Sequence, residues 1–153
     1  LESALATSKA LGLPRYEVMQ PHYNLMERGI EADLIPACVK HGLAVAPYFA
    51  LAAGFLTGKY RSEADLGKSP RGARNAAKYL TPRGHAVLAA LDKVAAQTGA
   101  KPGQVAIAWL LAKPGVTAAL ASATSLDQLA ELVKAATMPL DAAAVAALDA
   151  TSA

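Results

Sequence analysis

Cysteine and aromatic residues are scarce in this chain. Cys38 is the single cysteine among 153 residues, so no disulfide can close within the chain and no cysteine-based zinc site can form. That pattern suits a reducing compartment, and a cytoplasmic location is expected. Aromatic residues make up 5%, too few for an aromatic-rich β-sandwich. No apolar run approaches the roughly 20 residues of a membrane helix, so no membrane partner is expected. The opening Leu1-Glu2-Ser3-Ala4 lacks the basic start and apolar stretch of a secretory signal, and no Met precedes it.

Small apolar residues are plentiful instead. There are 37 alanines, and the apolar share of 54% against 18% charged residues supports a packed core rather than a disordered chain. Such a composition favours closely packed helices. The length by itself is that of one domain. The net charge of +3 is local in origin. Between Lys59 and Arg83 stand seven basic residues (Lys59, Arg61, Lys68, Arg71, Arg74, Lys78, Arg83) against Glu63 and Asp65, which nets +5 and leaves −2 elsewhere. This basic stretch has little aromatic interleaving, only Tyr60 and Tyr79, so no nucleic-acid partner is expected.

Periodicity and breakers organise the rest. Leu1 to Leu11 reads as a helix stopped by Gly12, and Tyr16 to Gln20 as a short strand followed by a loop carrying His22, Tyr23 and Asn24. Asp33 to His41 reads as a helix with Leu34, Ile35, Cys38 and Val39 on one face, Pro36 in its first turn and Gly42 as a left-handed stop. Leu43 to Tyr48 is a compact apolar strand, continuous enough to suggest burial on both faces, as in a parallel sheet with helical crossovers.

Phe49 to Leu80 is a long irregular stretch. Thr81-Pro82 then opens a helix with Val87, Leu88, Leu91, Val94 and Ala95 on one face, ended by Gly99. Gly103 to Ala112 is apolar nearly all round, hence a buried helix. Val116 to Ala123 is a third strand candidate. Ser125 to Gln128 has the form of a capping box, opening a helix whose face is Leu129, Leu132, Val133 and Ala136. Asp141 caps a last helix carrying Val145 and Leu148.

Three places could carry chemistry. Gln20, Tyr23 and Asn24 follow a strand, where βα architectures gather ligands; they could equally satisfy loop backbone. Tyr48 could stack on a flat heterocycle, with Gly54 and Gly58 letting backbone N–H groups approach a phosphate and Lys59 adding charge; a rim tyrosine beside a flexible loop is the plainer reading. The stretch from Ser122 to Gln128 runs into a helix N-terminus that suits an anion, or is an ordinary cap. His22, His41 and His85 show no metal-ligand spacing, and no metal is expected.

Four separated blocks carry a family resemblance: Gln20-x-x-Tyr23-Asn24-Leu25; Val45-Ala46-Pro47-Tyr48 running into Leu51-Ala52-x-Gly54-x-Leu56-Thr57-Gly58-Lys59-Tyr60; Gln104 to Leu111; and Ser125-Leu126-Asp127-Gln128-Leu129. Their order, from about Leu5 to Leu148, resembles the C-terminal half of an aldo-keto reductase, in the branch of long-loop bacterial reductases and potassium-channel β-subunits. The resemblance implies an α/β fold that is the C-terminal half of a (β/α)₈ TIM barrel. It would hold about three parallel strands with helices and a long basic loop after the second strand. Residues 1–153 would then form a partial barrel whose N-terminal half is absent from this chain, since such barrels typically need about 250 residues.

The same resemblance implies NADP as cofactor, with NAD as the alternative, and a small carbonyl substrate, an aldehyde or ketone reduced by hydride transfer. Gln20 would bond the nicotinamide carboxamide and Tyr48 would stack on its ring. Phe49, Ala50, Leu51, Gly54, Leu56, Gly58 and Lys59 would line the pyrophosphate. Ser122, Ala123, Thr124, Gln128 and Glu131 would surround the adenosine 2′-phosphate. Phe49-Ala50 replaces the Ser-Pro common in the family, and Leu132 stands where many members have Asn; the basic loop is the expected source of the missing phosphate charge. The family's catalytic Asp, Tyr, Lys and His have no counterpart here, so no catalytic residue is assigned. The partner implied is the missing half of the barrel; the alternative reading is a non-catalytic nucleotide-binding protein or an inactive barrel fragment.

Overall fold

The computed structural model describes residues 1–69 and 72–153; Arg71, counted above in the basic stretch, lies outside the described residues. Among the described residues, six α-helices and a small parallel sheet follow in the order α1 (Glu2–Leu11), β1 (Val18–Met19), α2 (Leu34–Lys40), β2 (Ala44–Val45), α3 (Pro82–Thr98), α4 (Pro102–Leu111), α5 (Leu126–Ala136) and α6 (Ala142–Ser152). Between β2 and α3 the chain runs through short 3₁₀ turns, Ala52–Thr57 and Glu63–Lys68 among them.

Local chemistry sets most of the helix ends. Gly12 and Gly99 stop α1 and α3 at φ of 64° and 65°, and Gly42 adopts the same region just past α2. Thr81 accepts from the Gly84 N–H at 3.1 Å with Pro82 at the first helical position, and Asp141 accepts from the Ala144 N–H at 2.7 Å. Ser125 accepts from the Gln128 N–H, but Gln128 does not return the bond to residue 125. Its Oε1 takes the Thr124 N–H at 2.9 Å instead, so the expected capping box is only half formed.

The sheet is shorter than expected. Val18 pairs with Ala44 and Met19 with Val45 in parallel, and single parallel bridges join His22 to Tyr48 and Val45 to Val116. The expected third strand, Val116 to Ala123, is therefore one bridge, made by Val45 N–H to Gly115 at 3.1 Å and Thr117 N–H to Val45 at 2.9 Å, plus one further bond, Leu120 N–H to Pro47 at 2.9 Å. Its far edge finds no ladder partner among the described residues. The strand before Tyr48 also departs from burial on both faces. Leu43 and Val45 are buried, whereas Ala44 and Ala46 on the opposite face are covered only in part.

The core lies under the helices. α3 packs on α4 and α6, and α4 packs on α5. Trp109, Tyr23, Tyr60, Phe55, Leu88 and Leu91 are its largest fully buried members. α4 is buried from Gln104 through Leu110, as its uniform apolarity requires. Two expected faces differ. Val39 on α2 is exposed, and on α5 Leu129 and Val133 are 50% and 63% exposed, with Ala135 the buried residue. An amphipathic stripe reports which residues share a face; whether that face meets a neighbour depends on what stands beside it.

A polar cluster ties α6 to the rest. Arg28 holds Glu31 through two bonds of 2.9 and 2.7 Å, donates to the Asp149 carbonyl at 2.7 Å and to Ser152 Oγ at 2.8 Å. Asp149 also accepts from Trp109 Nε1 at 2.9 Å and from Lys113 at 2.5 Å. Burial pushes the Glu31 carboxyl up, but the bonds from Arg28 and Tyr23 outweigh it and hold it below the usual range. Asp149 is likewise raised by burial and held low, on balance, by Lys113 and Trp109.

Candidate functional site

The segment that follows β2 has an unusual backbone. Phe49, Ala52 and Ala53 adopt φ of 55°, 48° and 56°, and Gly54 and Gly58 adopt 90° and 78°. Left-handed backbone at non-glycine residues costs on the order of 1–3 kcal/mol each, so the surroundings must hold it in place. Asn24 does part of this: its Nδ2 donates to the Phe49 carbonyl at 2.9 Å while its Oδ1 accepts from the Met26 N–H at 2.8 Å. Asn24 is buried, and this role is structural. Inside the loop, Ala52 donates to Phe49, Gly54 to Leu51 and Thr57 Oγ1 to Gly54, at 2.7, 2.8 and 2.7 Å. The N–H groups of Phe49, Ala50 and Leu51 donate to no protein acceptor among the described residues. Consecutive free N–H groups on such a turn form a cradle for an anion.

That loop forms one wall of a cavity of about 930 Å³. Of the residues singled out in the sequence, Phe49, Ala50, Leu51, Gly54, Lys59, Ser122, Thr124, Gln128 and Glu131 line it. They come from the loop after β2 on one side and from the start of α5 on the other. Stretches some 70 residues apart in sequence are therefore brought to a single cavity, as the resemblance expects.

The other expected residues lie elsewhere. Gln20 is exposed beyond the end of β1 and Ala123 is half-buried beside the cavity; neither lines it. Leu56 is fully buried in the core, because its place in the 3₁₀ turn points it under the loop. Gly58 faces Arg61, whose guanidinium nitrogen lies 2.6 Å from where a Cβ would stand. Tyr48 flanks the cavity without lining it. Its ring is 39% exposed and stacks on His22 at 5.1 Å between centroids and 18° between planes. His22 Nε2 is buried there without a hydrogen-bond partner among the described residues.

Sequence reasoning missed Ala53, Thr57, Ser69, Lys101, Gly103 and Gln104 as lining residues. Gly103 could have been noticed: a Cβ there would meet Thr57 Cγ2 at 3.3 Å, so α4 needs a glycine to approach the loop this closely. Gln104 bonds the Lys101 N–H through Oε1 at 2.9 Å and the Glu131 carbonyl through Nε2 at 3.1 Å, fixing α4 to α5. Lys101 pairs with Glu131 across that junction. Lys59 packs across Gly54, its Nζ 4.8 Å from the Tyr60 ring centroid, with no carboxylate in ion-pair range among the described residues.

Four other basic side chains of the stretch are engaged by the fold. Arg61 forms a two-bond pair with Asp92 at 2.7 and 2.8 Å, Lys68 pairs with Asp65 at 2.6 Å and Lys78 with Glu27 at 2.9 Å. Arg83 donates to the carbonyls of Met26 and Ser152 at 3.1 and 2.5 Å. Of the described basic residues in this loop, Lys59 is the one that lines the cavity, while Arg61, Lys68, Lys78 and Arg83 are held by the bonds above.

Three buried tyrosines have their hydroxyls engaged within the fold. Burial first, then the bond from Tyr23 to Glu31 at 2.6 Å, pushes the Tyr23 hydroxyl far above its ordinary value. Burial also raises Tyr79, which donates to Glu27 at 2.9 Å. Tyr60 shares a 2.5 Å bond with Ser69. A general acid needs its pKa brought down toward the working pH, and the two displaced tyrosines move the other way. Burial raises the Cys38 thiol too, so it is not a nucleophile. Among the described residues no group of three or more His, Cys, Asp or Glu could hold a metal ion, and no helix is long and apolar enough to cross a membrane.

Residues 3–153 match the Aldo/keto reductase family. The chain belongs to that family. It is 34% identical over 122 residues to the protein Tas of Escherichia coli, covering 76% of this chain and 34% of Tas. It is 35% identical over 122 residues to a putative voltage-gated potassium channel subunit beta of Schizosaccharomyces pombe, covering 76% and 36% of the two chains. An uncharacterized oxidoreductase of Mycobacterium bovis is 37% identical over 141 residues, covering 87% and 41%. The chain thus spans roughly a third to two-fifths of the length of these relatives. The family implies a (β/α)₈ barrel, and a helix-rich α/β arrangement around a small parallel sheet is consistent with part of one.

Proposed function

We propose that this chain is the cofactor-holding part of an NAD(P)H-dependent oxidoreductase that reduces aldehydes or ketones, completed by a further half-barrel that supplies the catalytic groups. The observation that carries the reading is the cavity itself. Its volume of about 930 Å³ suits a large ligand, and one wall is a strained loop offering three free N–H groups at Phe49, Ala50 and Leu51. Those donors and Lys59 would hold the pyrophosphate of NADP or, alternatively, NAD. Ser122, Thr124, Gln128 and Glu131 would surround the adenosine end. Tyr48, one face already covered by His22, has its other face to offer the nicotinamide, and Gln20 beyond β1 would meet the carboxamide.

When bound, the cofactor supplies a hydride; the residues here fix its position and hold its charge. Ring stacking orients the nicotinamide, and backbone donors hold the pyrophosphate without side-chain entropy loss. The exposed apolar residues Leu129 and Val133, with the unpaired edge of residues 117–121, support completion by further barrel elements. The working enzyme would be cytoplasmic.

A second reading, a nucleotide binder without catalysis, is supported for the chain alone by Tyr23 and Tyr79, whose hydroxyls are bonded to carboxylates inside the fold. Titrating NADPH and NADH while following nicotinamide fluorescence, with an assay of carbonyl reduction by the chain alone, tests the nucleotide site that both readings share. Binding without turnover by the chain alone, weakened about tenfold or more in Tyr48→Ala, fits the proposal. Absence of binding of either nucleotide overturns it.

A further inference from the structure

We propose that Lys101 is the residue that makes this site prefer the 2′-phosphorylated cofactor, an inference that rests on the nucleotide reading above. Among the described residues lining the cavity, the charged groups are Lys59, Lys101 and Glu131. They divide by position. Lys59 lies across Gly54 on the loop wall, on the pyrophosphate side. Lys101 stands at the entrance to α4 and reaches Glu131 on α5, one turn from Gln128.

A phosphate on the adenosine ribose would meet two opposing charges there. Glu131 alone repels a dianion and would instead accept a bond from an unphosphorylated ribose hydroxyl. Lys101 reverses that preference. Its ammonium has three donors, so it can keep Glu131 and still donate to a phosphate oxygen. Its side chain is 67% exposed and can swing to the ligand, while the Lys101 N–H bond to Gln104 keeps the backbone fixed. Three basic side chains of the long loop are paired within the fold, Arg61 to Asp92, Lys68 to Asp65 and Lys78 to Glu27.

The test is a pair of dissociation constants, NADPH and NADH, for the chain and for Lys101→Met, Lys101→Arg and Glu131→Gln. A bond to a charged group predicts that Lys101→Met weakens NADPH about tenfold or more and leaves NADH within about twofold. Lys101→Arg should retain the NADPH preference, and Glu131→Gln should tighten NADPH by removing the competing carboxylate. Lys101→Met weakening both nucleotides equally, or neither, overturns the role of Lys101 and leaves the nucleotide site standing. Failure of the unmodified chain to bind either nucleotide overturns the site reading, and this inference with it.

Discussion

Gly84 sits in the first turn of α3, where two effects of an added methyl oppose each other. In a helix, alanine is favoured over glycine by about 1 kcal/mol, so propensity alone predicts that Gly84→Ala stabilises. The surroundings predict the reverse. A Cβ at this position would lie 1.9 Å from the Tyr79 carbonyl oxygen and 3.0 Å from Phe55 Cζ, whereas ordinary contacts begin at 3.4 Å. The backbone carbonyl must therefore retreat by about 1.5 Å. It is the acceptor of the 2.8 Å bond from the Thr81 N–H, in the residue that caps α3. Overpacking costs about 1–3 kcal/mol and the lost bond about 1 kcal/mol, against the gain of about 1 from propensity. The net expectation is destabilisation by about 1–3 kcal/mol. With a urea slope of about 1–3 kcal/mol per molar, the unfolding midpoint should fall by roughly 1 M. Gly29→Ala is the control, since nothing lies within 4 Å of its Cβ position; its midpoint should stay level or rise slightly. A Gly84→Ala midpoint at or above that of the unmodified chain would refute the packing argument.

Three further expectations concern the frame around the site. Arg28→Met removes the hub of the α6 anchor; its partners are about a third exposed, so the cost is discounted to about 2 kcal/mol, with faster amide exchange in α6. An unchanged midpoint and unchanged α6 exchange would contradict the anchor. Glu31 and Asp149 are both held below their ordinary values of 4.5 and 3.8, so their contribution is present above about pH 4.5. It is lost as pH falls through the lower folded values; urea midpoints measured from pH 6 downward should decline there, and Arg28→Met should remove the Glu31 part of that decline while leaving the Asp149 part. On α5, Leu129→Ser with Val133→Ser should leave stability within about 0.5 kcal/mol, because both side chains are exposed, and should reduce binding of a hydrophobic dye. A loss of several kcal/mol would mean that this face is buried.

What the sequence made legible was chiefly local. Gly12, Gly99, the Thr81-Pro82 start and the Asp141 cap are set by groups within a few residues of each other, and the structure bears each of them out. Burial of α4 followed from its uniform apolarity. The failures depend on neighbours. Residues 116–123 carry the composition of a strand, yet they form one bridge, and their outer edge has no partner among the described residues. Leu129 and Val133 mark a true stripe on α5 that meets no covering element here. At the site, the loop residues and the α5 start were found through the order of four sequence blocks. Lys101 was not, because a lysine before Pro102 carries no local signal; its meaning comes from Glu131, 30 residues on. In the basic loop, the partners of Arg61, Lys68 and Lys78 likewise lie at positions the sequence does not mark.

The central claim is that the loop of residues 49–59 and the start of α5 hold one dinucleotide between them. Hydrogen exchange followed by mass spectrometry, with and without saturating NADPH, tests it most directly. The account predicts slowed exchange in peptides covering residues 49–59 and 120–131, strongest at the free N–H groups of Phe49, Ala50 and Leu51, with α6 unchanged. Protection that spares the loop of residues 49–59, or no protection anywhere at saturating nucleotide, would contradict it.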